Sequence, residues 1–467
     1  VSLTDKQRAA AERIAAPPVG PFPLTDLGNS ERLVAMHGHE IRHAPGLGWM
    51  VWDGRRWARD DTGGLLRRAK LTARAIYHDA AGCENDDERK RIAGWAHSSE
   101  FEARLKAMVS LAASELAVVV RAGDLDANPY LLNCQNGALD LKTGELRPHA
   151  PGDLLTRLAG ASYTPTAPSS VWAAFVERIL PHAEVRGYVQ RLLGVAAVGE
   201  LLEHVLPFFH GGGANGKSTL LDAVRFALGD YAIQMPADVL MLKRDGMSAG
   251  DQSALMQLRG VRLASTVETE DGRRLAESLV KSLTGETRIR AKLMRQDPVE
   301  FTASHTLVLA ANHRPRIAGT DLAIWRRIHL VPFEETIAPG EQDRRLGAKL
   351  AAEADGVLAW IVAGCVDYQQ RGLDPPAAVI AATAAYRTAE DPLGDWLAWC
   401  CVLEPDAWTA TADLRGSYEQ FCGAEGTDAV GDKRYSDSLG NRGCSRDQER
   451  SRGPPQGMER RPITPRL

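Results

Sequence analysis

The stretch FFHGGGANGKSTLLDAV, residues 208 to 224, constrains the fold more tightly than any other part of the chain. Gly211, four residues, then Gly216, Lys217 and Ser218 have the spacing of a phosphate-binding loop set between a strand and a helix. Both flanks agree. Val205, Leu206, Phe208 and Phe209 form an apolar run suited to a buried strand, with Pro207 tolerable near its start. Leu220, Leu221, Val224, Ala227 and Leu228 recur at helical spacing, and Gly229 stands where a helix would stop. The predicted cradle is Gly211, Gly212, Gly213, Ala214, Asn215, Gly216, Lys217, Ser218 and Thr219, whose backbone N–H groups can turn inward as a nest ahead of a helix N-terminus. Lys217 would neutralise the β and γ phosphates of a nucleotide, and Ser218 would reach Mg2+. A glycine-rich turn matching by accident is expected on the order of once in a hundred chains of this length at average glycine usage, and the flanking elements make it rarer still.

Composition bounds the rest. The chain has 467 residues, 44% hydrophobic and 25% charged, which gives room for two to four domains. No apolar run reaches membrane-spanning length and VSLTDKQRAA holds no signal-peptide core, so a cytoplasmic protein with no membrane partner is expected. The seven cysteines, Cys83, Cys134, Cys365, Cys400, Cys401, Cys422 and Cys444, include no C-x-x-C pair, which argues against a zinc ribbon or a disulfide framework. The formal net charge is −4, so contacts to a nucleic acid must be concentrated locally.

A phosphate loop also needs carboxylates for metal and water. Downstream, GVRLASTVETEDG reads as a strand through Val261, Leu263 and Val267 that ends on Glu268 and Glu270, against the alternative of an acidic turn. HTLVLAANHRP, from His305 to Ala311, is a third strand; it ends on Asn312, placed to sense a γ phosphate at the carboxyl edge of a sheet. DLAIWRRIHLVPF then sets Arg326 and Arg327 before another apolar run. An arginine here could be offered to a neighbouring subunit's site, where it would stabilise the transferring phosphoryl group. Between them lies KSLTGETRIRAKLMRQDPVEF. Arg288, Arg290 and Lys292 alternate with Ile289, Ala291 and Leu293, a pattern that on a strand puts cations on one face. Gln296, Asp297 and Pro298 make a turn and Val299 to Thr302 a return strand, giving a basic-faced hairpin with Arg295 near its tip. Several such hairpins lining a ring could track a phosphate backbone without reading bases.

The order of these motifs, from HGGGANGKST through VETEDG, KSLTGETRIRAKLM, LVLAANHRP and DLAIWRRIHLVPF, resembles the superfamily 3 helicases of phages, plasmids and DNA viruses, in the branch of the poxvirus-type primase-helicases. LTDLGNSERLVAMHG and GWMVWDGRRWARDD are similar to the amino-terminal segment of actinophage and prophage members, and the likeness runs over roughly residues 23 to 400. The resemblance implies an α/β fold with an AAA+-like P-loop ATPase core, assembled as a homo-hexamer that uses ATP and Mg2+ to move on single-stranded or forked DNA and unwind duplex. A separate primase or phage replication proteins would be its partners in a bacterial host. By resemblance Lys217 and Ser218 are the nucleotide lysine and magnesium hydroxyl, Glu268 the metal-holding acid, Glu270 a second carboxylate and Asn312 the sensor. Arg326 or Arg327, with the family pattern leaning to Arg327, is the interface arginine; Lys281, Arg288, Arg290, Lys292 and Arg295 are the nucleic-acid contacts. An origin-loading or DNA-remodelling ATPase and an inactive prophage relic are the competing functions.

The expected organisation is a small α+β amino-terminal domain over 1–120, a mainly helical pre-motor region over 121–200, the ATPase domain over 201–335, a helical subdomain over 336–395 and a module over 396–467. Primase chemistry is not expected, because Asp124 and Asp126 form the only D-x-D near the front and read as a loop. Trp49, Trp52 and Trp57 are expected to pack a small β element in preference to stacking on bases. LGDWLAWCCVLEPDAWTATADLRGSYEQFCGAEG is similar to the start of a winged-helix module. The segment from Lys433 to Leu467, without helical or strand periodicity, fits either a basic tail or a degraded wing.

Overall fold

A computed structural model of the chain describes residues 22–445, apart from 244–245, 269–271, 294, 296, 318–321, 392, 405–406, 427 and 441, and of Glu268 only the backbone. The chain forms two compact units. One comprises residues 1–168 with 226–231 and 354–362, and the other comprises the remainder.

In the first unit a helix, Asp26–His37, starts where the Thr25 hydroxyl accepts from the Gly28 N–H. It leads to an antiparallel meander of β1 (Ile41–Ala44), β2 (Gly48–Trp52) and β3 (Trp57–Arg59). The tryptophans pack this sheet. Trp52 and Trp57 are register partners with ring centroids 5.6 Å apart, and the Trp57 indole N–H donates to the Pro151 carbonyl at 2.8 Å. Trp49 lies against His43. Three helices, Gly64–Ala81, Asp86–Ser99 and Glu102–Ala112, follow, and Leu33, Ile41, Leu65, Ala69 and Met108 form a common core with them. The expected α+β character of this end of the chain is therefore present.

The region expected to be mainly helical over 121–200 divides in two. Its first half carries a three-stranded antiparallel sheet of β4 (Leu131–Cys134), β5 (Gly137–Asp140) and β6 (Leu146–Arg147), and only its second half is helical, as Ser170–Ile179 and Ala183–Val195. The physical reason lies in LLNCQNGALDLKTG. Runs of four apolar or small residues are separated by turn formers, and the Asp140 carboxylate closes the second turn by accepting the Lys142 N–H at 2.7 Å. Asp126 accepts the Thr156 N–H at 2.8 Å and Asp124 accepts the Arg121 N–H at 3.2 Å, so the D-x-D is a loop brace.

The second unit is built on a five-stranded, all-parallel sheet: β7 (Leu206–His210), β8 (Ala232–Pro236), β9 (Leu263–Glu268), β12 (Thr306–Ala311) and β13 (Ile328–Pro332), in the order β13-β7-β12-β9-β8. β10 (Arg288–Ala291) and β11 (Val299–Thr302) stand apart as an antiparallel hairpin. β7 and β12 are apolar along almost their whole length because a central parallel strand is covered on both faces. Leu206, Phe208, Ala264, Leu307, Leu309, Ile328 and Leu330 share one core with Ile289 and Phe301 of the hairpin, which anchors the hairpin's inner face.

Parallel strands bring their carboxyl ends to one edge, and the register here is close. Ala311 is the partner of both His210 and Glu268, and Pro332 is the partner of His210. After the last strand in the chain come helices Leu346–Ala352, Ala354–Arg371 and Ala377–Ala389, with Leu350, Leu358, Ile361 and Val362 buried.

Three more helices, Gly394–Cys400, Thr411–Ala424 and Asp432–Gly440, close around Trp396, Tyr418 and Tyr435. No strand follows β13 among the described residues, so helices of the expected module are present and a wing is not among its described parts. Contrary to the aperiodic tail expected from Lys433, that residue and Arg434 lie in the last helix, where Tyr435 and Leu439, four apart, are buried. The rest of the tail, from 446, lies outside the described residues.

Candidate nucleotide and nucleic-acid site

The loop after β7 has the backbone its glycines call for. Gly213, Ala214 and Gly216 have φ of 98°, 47° and 80°, the left-handed conformations that turn successive N–H groups to one side. A β-carbon on Gly216 would lie 2.5 Å from the Ile179 Cγ2, so the loop also packs too closely there for a side chain. The Ala214 carbonyl accepts the Ile337 N–H at 2.8 Å, and the His210 carbonyl accepts the Phe333 N–H at 2.7 Å, which ties the loop to the segment after β13. The helix Lys217–Leu228 begins earlier than expected, taking Lys217, Ser218 and Thr219 into its first turn, and Gly229, at φ 54°, follows its last turn.

Lys217 is 4% exposed. Its ammonium donates to the Gly211 carbonyl at 2.8 Å, the Asn215 side-chain oxygen at 2.9 Å and the Asn312 side-chain oxygen at 3.2 Å. Burial lowers its pKa to about 8. Asn312 therefore reaches the loop from the end of β12. Ser218 is exposed in the first turn of the helix and Thr219 is half-buried. Glu268 closes β9 beside Ala311, and Glu270 lies outside the described residues. A left-handed cradle, an exposed hydroxyl at a helix start, a lysine and a strand-end acid on one sheet edge suit a magnesium-bound polyphosphate.

Two side-chain roles were not read from the sequence, that of Asn215, expected only as part of the backbone cradle, and that of His210. Asn215 is buried, and its amide donates to the Phe333 carbonyl at 3.4 Å while its oxygen takes the lysine. His210, the last residue of β7, has its pKa lowered to about 4 by burial first and then by Arg314, Lys217 and His313. The signal for the second was present in NHRP, which places two more basic residues directly after Asn312.

The two arginines after helix Leu322–Trp325 part company. Arg327 donates to the Ala323 carbonyl at 2.7 Å and to the buried Thr284 hydroxyl at 3.2 Å, and its guanidinium packs on Gly285, at the end of helix Glu277–Leu283. Arg326 is exposed on a cleft of about 940 Å³ that Leu322, Ile380 and Arg387 also line.

Lys281 is half-buried on helix Glu277–Leu283. In the hairpin, Arg288 and Arg290 are exposed while Ile289 and Ala291 are buried, as the alternation predicts. Lys292 and Arg295 are exposed beyond the strand, and Arg295 has φ 62° in the turn. The face is not purely basic, because Glu300 of β11 sits opposite Arg290 and accepts from Arg288 at 2.5 Å. Among the described residues no cluster of His, Cys, Asp and Glu could hold a metal by itself, the cysteines are free, and no helix is long and apolar enough to cross a membrane.

Comparison with known proteins gives a consistent class. Residues 30–181 match the family described as "D5 N terminal like". The chain is 26% identical over 299 residues to "Putative helicase L207/L206" of Acanthamoeba polyphaga mimivirus, an alignment covering 59% of this chain and 31% of that protein. It is 29% identical over 211 residues to "Putative primase C962R" of African swine fever virus, covering 44% and 22%. It is 25% identical over 268 residues to "Putative helicase 022R" of Frog virus 3, covering 54% and 28%. The matched parts thus span less than a third of each of these relatives. Among solved structures, "The A form apo structure of NrS-1 C terminal region-CTR" aligns with a TM-score of 0.49 at 13% identity, over 90% of this chain and 86% of that one. The viral relatives it resembles carry helicase and primase names. The chain is thus similar to D5-type primase-helicases of large DNA viruses.

Proposed function

We propose that the chain is a phage-type replicative DNA helicase that couples ATP hydrolysis to movement on single-stranded DNA and to duplex opening. The observation that carries this is the meeting of Lys217 and Asn312, 3.2 Å apart, at the sheet edge where Glu268 also ends its strand. An amide in contact with the lysine of a phosphate loop is placed to report whether a γ phosphate is present.

In this reading Lys217 compensates the charge of the β and γ phosphates, and the loop N–H groups and the helix start hold the rest of the polyphosphate. Ser218 and Glu268 would hold Mg2+, which when bound neutralises charge on the transferring phosphoryl group. Glu270 orients the attacking water. Arg326, exposed on the cleft beside Leu322, suits the role of the arginine offered to a neighbour in a ring. Arg327, bonded to Thr284 and Ala323, suits a strut between β13 and the segment that leads into the hairpin. Arg288, Arg290, Lys292 and Arg295 grip the phosphate backbone.

The test is displacement of a labelled strand from a forked duplex by the purified chain with ATP and Mg2+. Lys217→Ala should abolish both hydrolysis and displacement. Changing Arg288, Arg290 and Lys292 together to alanine should leave hydrolysis and remove displacement. Displacement that survives the triple change would exclude the hairpin as the tracking element. Hydrolysis without displacement by the unaltered chain would favour an origin-loading or remodelling ATPase, and neither activity would favour a relic.

A further inference from the structure

On the exposed face of the hairpin one carboxylate stands among the cations. Register pairs Arg290 with Glu300 and Arg288 with Thr302, so Glu300 lies directly across from the first arginine and diagonally across from the second. Residues opposite each other on an antiparallel pair project to the same side, and the inner side is settled by Ile289, Ala291 and Phe301, which are buried in the unit's core. Glu300 is therefore committed to the cationic face. Its Oε1 accepts from the Arg288 Nη1 at 2.5 Å, with the two side chains 51% and 73% exposed. The guanidinium is raised in pKa by that hydrogen bond.

We propose that Glu300 is an internal competitor for the phosphate backbone, occupying Arg288 until nucleic acid displaces it and so setting how strongly each hairpin grips single-stranded DNA. This rests on the reading of the hairpin as a nucleic-acid contact. A carboxylate and a phosphate present an arginine with the same pair of oxygen acceptors, so the two cannot use the same guanidinium edge at once. The pair is exposed and readily exchanged in water, so it weakens the grip without preventing it. A tracking element needs such weakening, because a site that moves along a strand must release each phosphate as well as bind it. Arg290 lacks the direct bond and is left to make the primary contact. The effect of Arg288 depends on the state of Glu300.

The experiment is fluorescence anisotropy of a labelled oligothymidylate titrated with the full chain over a salt series, using the unaltered protein, Glu300→Gln, Arg288→Ala and the double variant. Asp297→Asn serves as a control, since it removes one negative charge at the hairpin turn without touching the Arg288 pair. Glu300→Gln should bind about threefold to tenfold more tightly at low salt. Its log affinity should fall more steeply with log salt, by about 0.7 for each arginine released to a phosphate. Arg288→Ala should weaken binding in both backgrounds, by a larger factor in the E300Q background, where it cancels the gain, than in the unaltered chain, and Asp297→Asn should give a smaller gain than Glu300→Gln. Equal or weaker binding by Glu300→Gln, or an equal gain from Asp297→Asn, would overturn the proposal while leaving the hairpin as a contact. Binding by the unaltered chain that is indifferent to Arg290→Ala and Lys292→Ala, or no binding at all, would instead overturn the hairpin reading and the proposal with it.

Discussion

The Lys217 ammonium and the Asn312 side-chain oxygen, 95 residues apart in the chain, are joined by a hydrogen bond of 3.2 Å. The register of β7, β12 and β9 creates this meeting, because it brings His210, Ala311 and Glu268 level before the chain turns off the sheet. Asn312→Ala removes one oriented polar group from the place where charge develops. Nucleotide affinity should change by less than tenfold, and the turnover number for ATP should fall on the order of a hundredfold to a thousandfold. Steady-state kinetics alongside equilibrium binding of a labelled nucleotide separates the two.

Burial places the Lys217 pKa at about 8, below its usual value of about 10.5. Bringing a polyphosphate beside the ammonium favours the protonated form, so binding must take up protons near pH 8. Affinity should be highest below pH 8 and fall as pH rises through it. Calorimetry at pH 8 in two buffers of different ionisation enthalpy should show net proton uptake, and Lys217→Ala should lose it. His210, at about 4, is neutral throughout this range and adds no slope.

Arg326 and Arg327 should give opposite phenotypes. Arg326 is exposed, so Arg326→Ala should leave thermal stability within about 0.5 kcal/mol and remove hydrolysis. Mixing those subunits with Lys217→Ala subunits should restore part of the activity. Arg327→Ala deprives the Ala323 carbonyl and the Thr284 hydroxyl of a charged donor and should cost about 1–2 kcal/mol, visible as a lower melting temperature.

The glycines of the loop are not equivalent. Gly216 has φ 80° and its added β-carbon would meet Ile179 at 2.5 Å, whereas one on Gly212 would meet nothing within 4 Å. Gly216→Ala should destabilise the fold by about 1–3 kcal/mol and abolish nucleotide binding, and Gly212→Ala should melt as the unaltered chain does. Thermal melts with and without nucleotide check both.

The strands, the loop and the helix of the parallel-sheet unit were legible because each is encoded locally, by apolar runs, glycine spacing and terminal residues such as Gly229 and Asn312. The sheet β4-β5-β6 was obscured because its strands are only two to four residues long, too short for alternation to stand out from the helices that follow. The last helix was obscured by polarity, since only Tyr435, Ser438 and Leu439 of its nine residues are buried. Within the site, the separation of Arg326 from Arg327 depends on Thr284 and Ala323, which no spacing between adjacent arginines can indicate. Glu300 was visible in the sequence, but its effect on Arg288 emerges only once the strand register is known.

The central claim is that hydrolysis at the Lys217 loop is coupled to nucleic acid on the hairpin. It is tested most directly by measuring ATP turnover of the purified chain with and without single-stranded DNA across a salt series. The account predicts turnover that DNA stimulates and that loses this stimulation as salt rises; turnover indifferent to DNA at every salt concentration would contradict it.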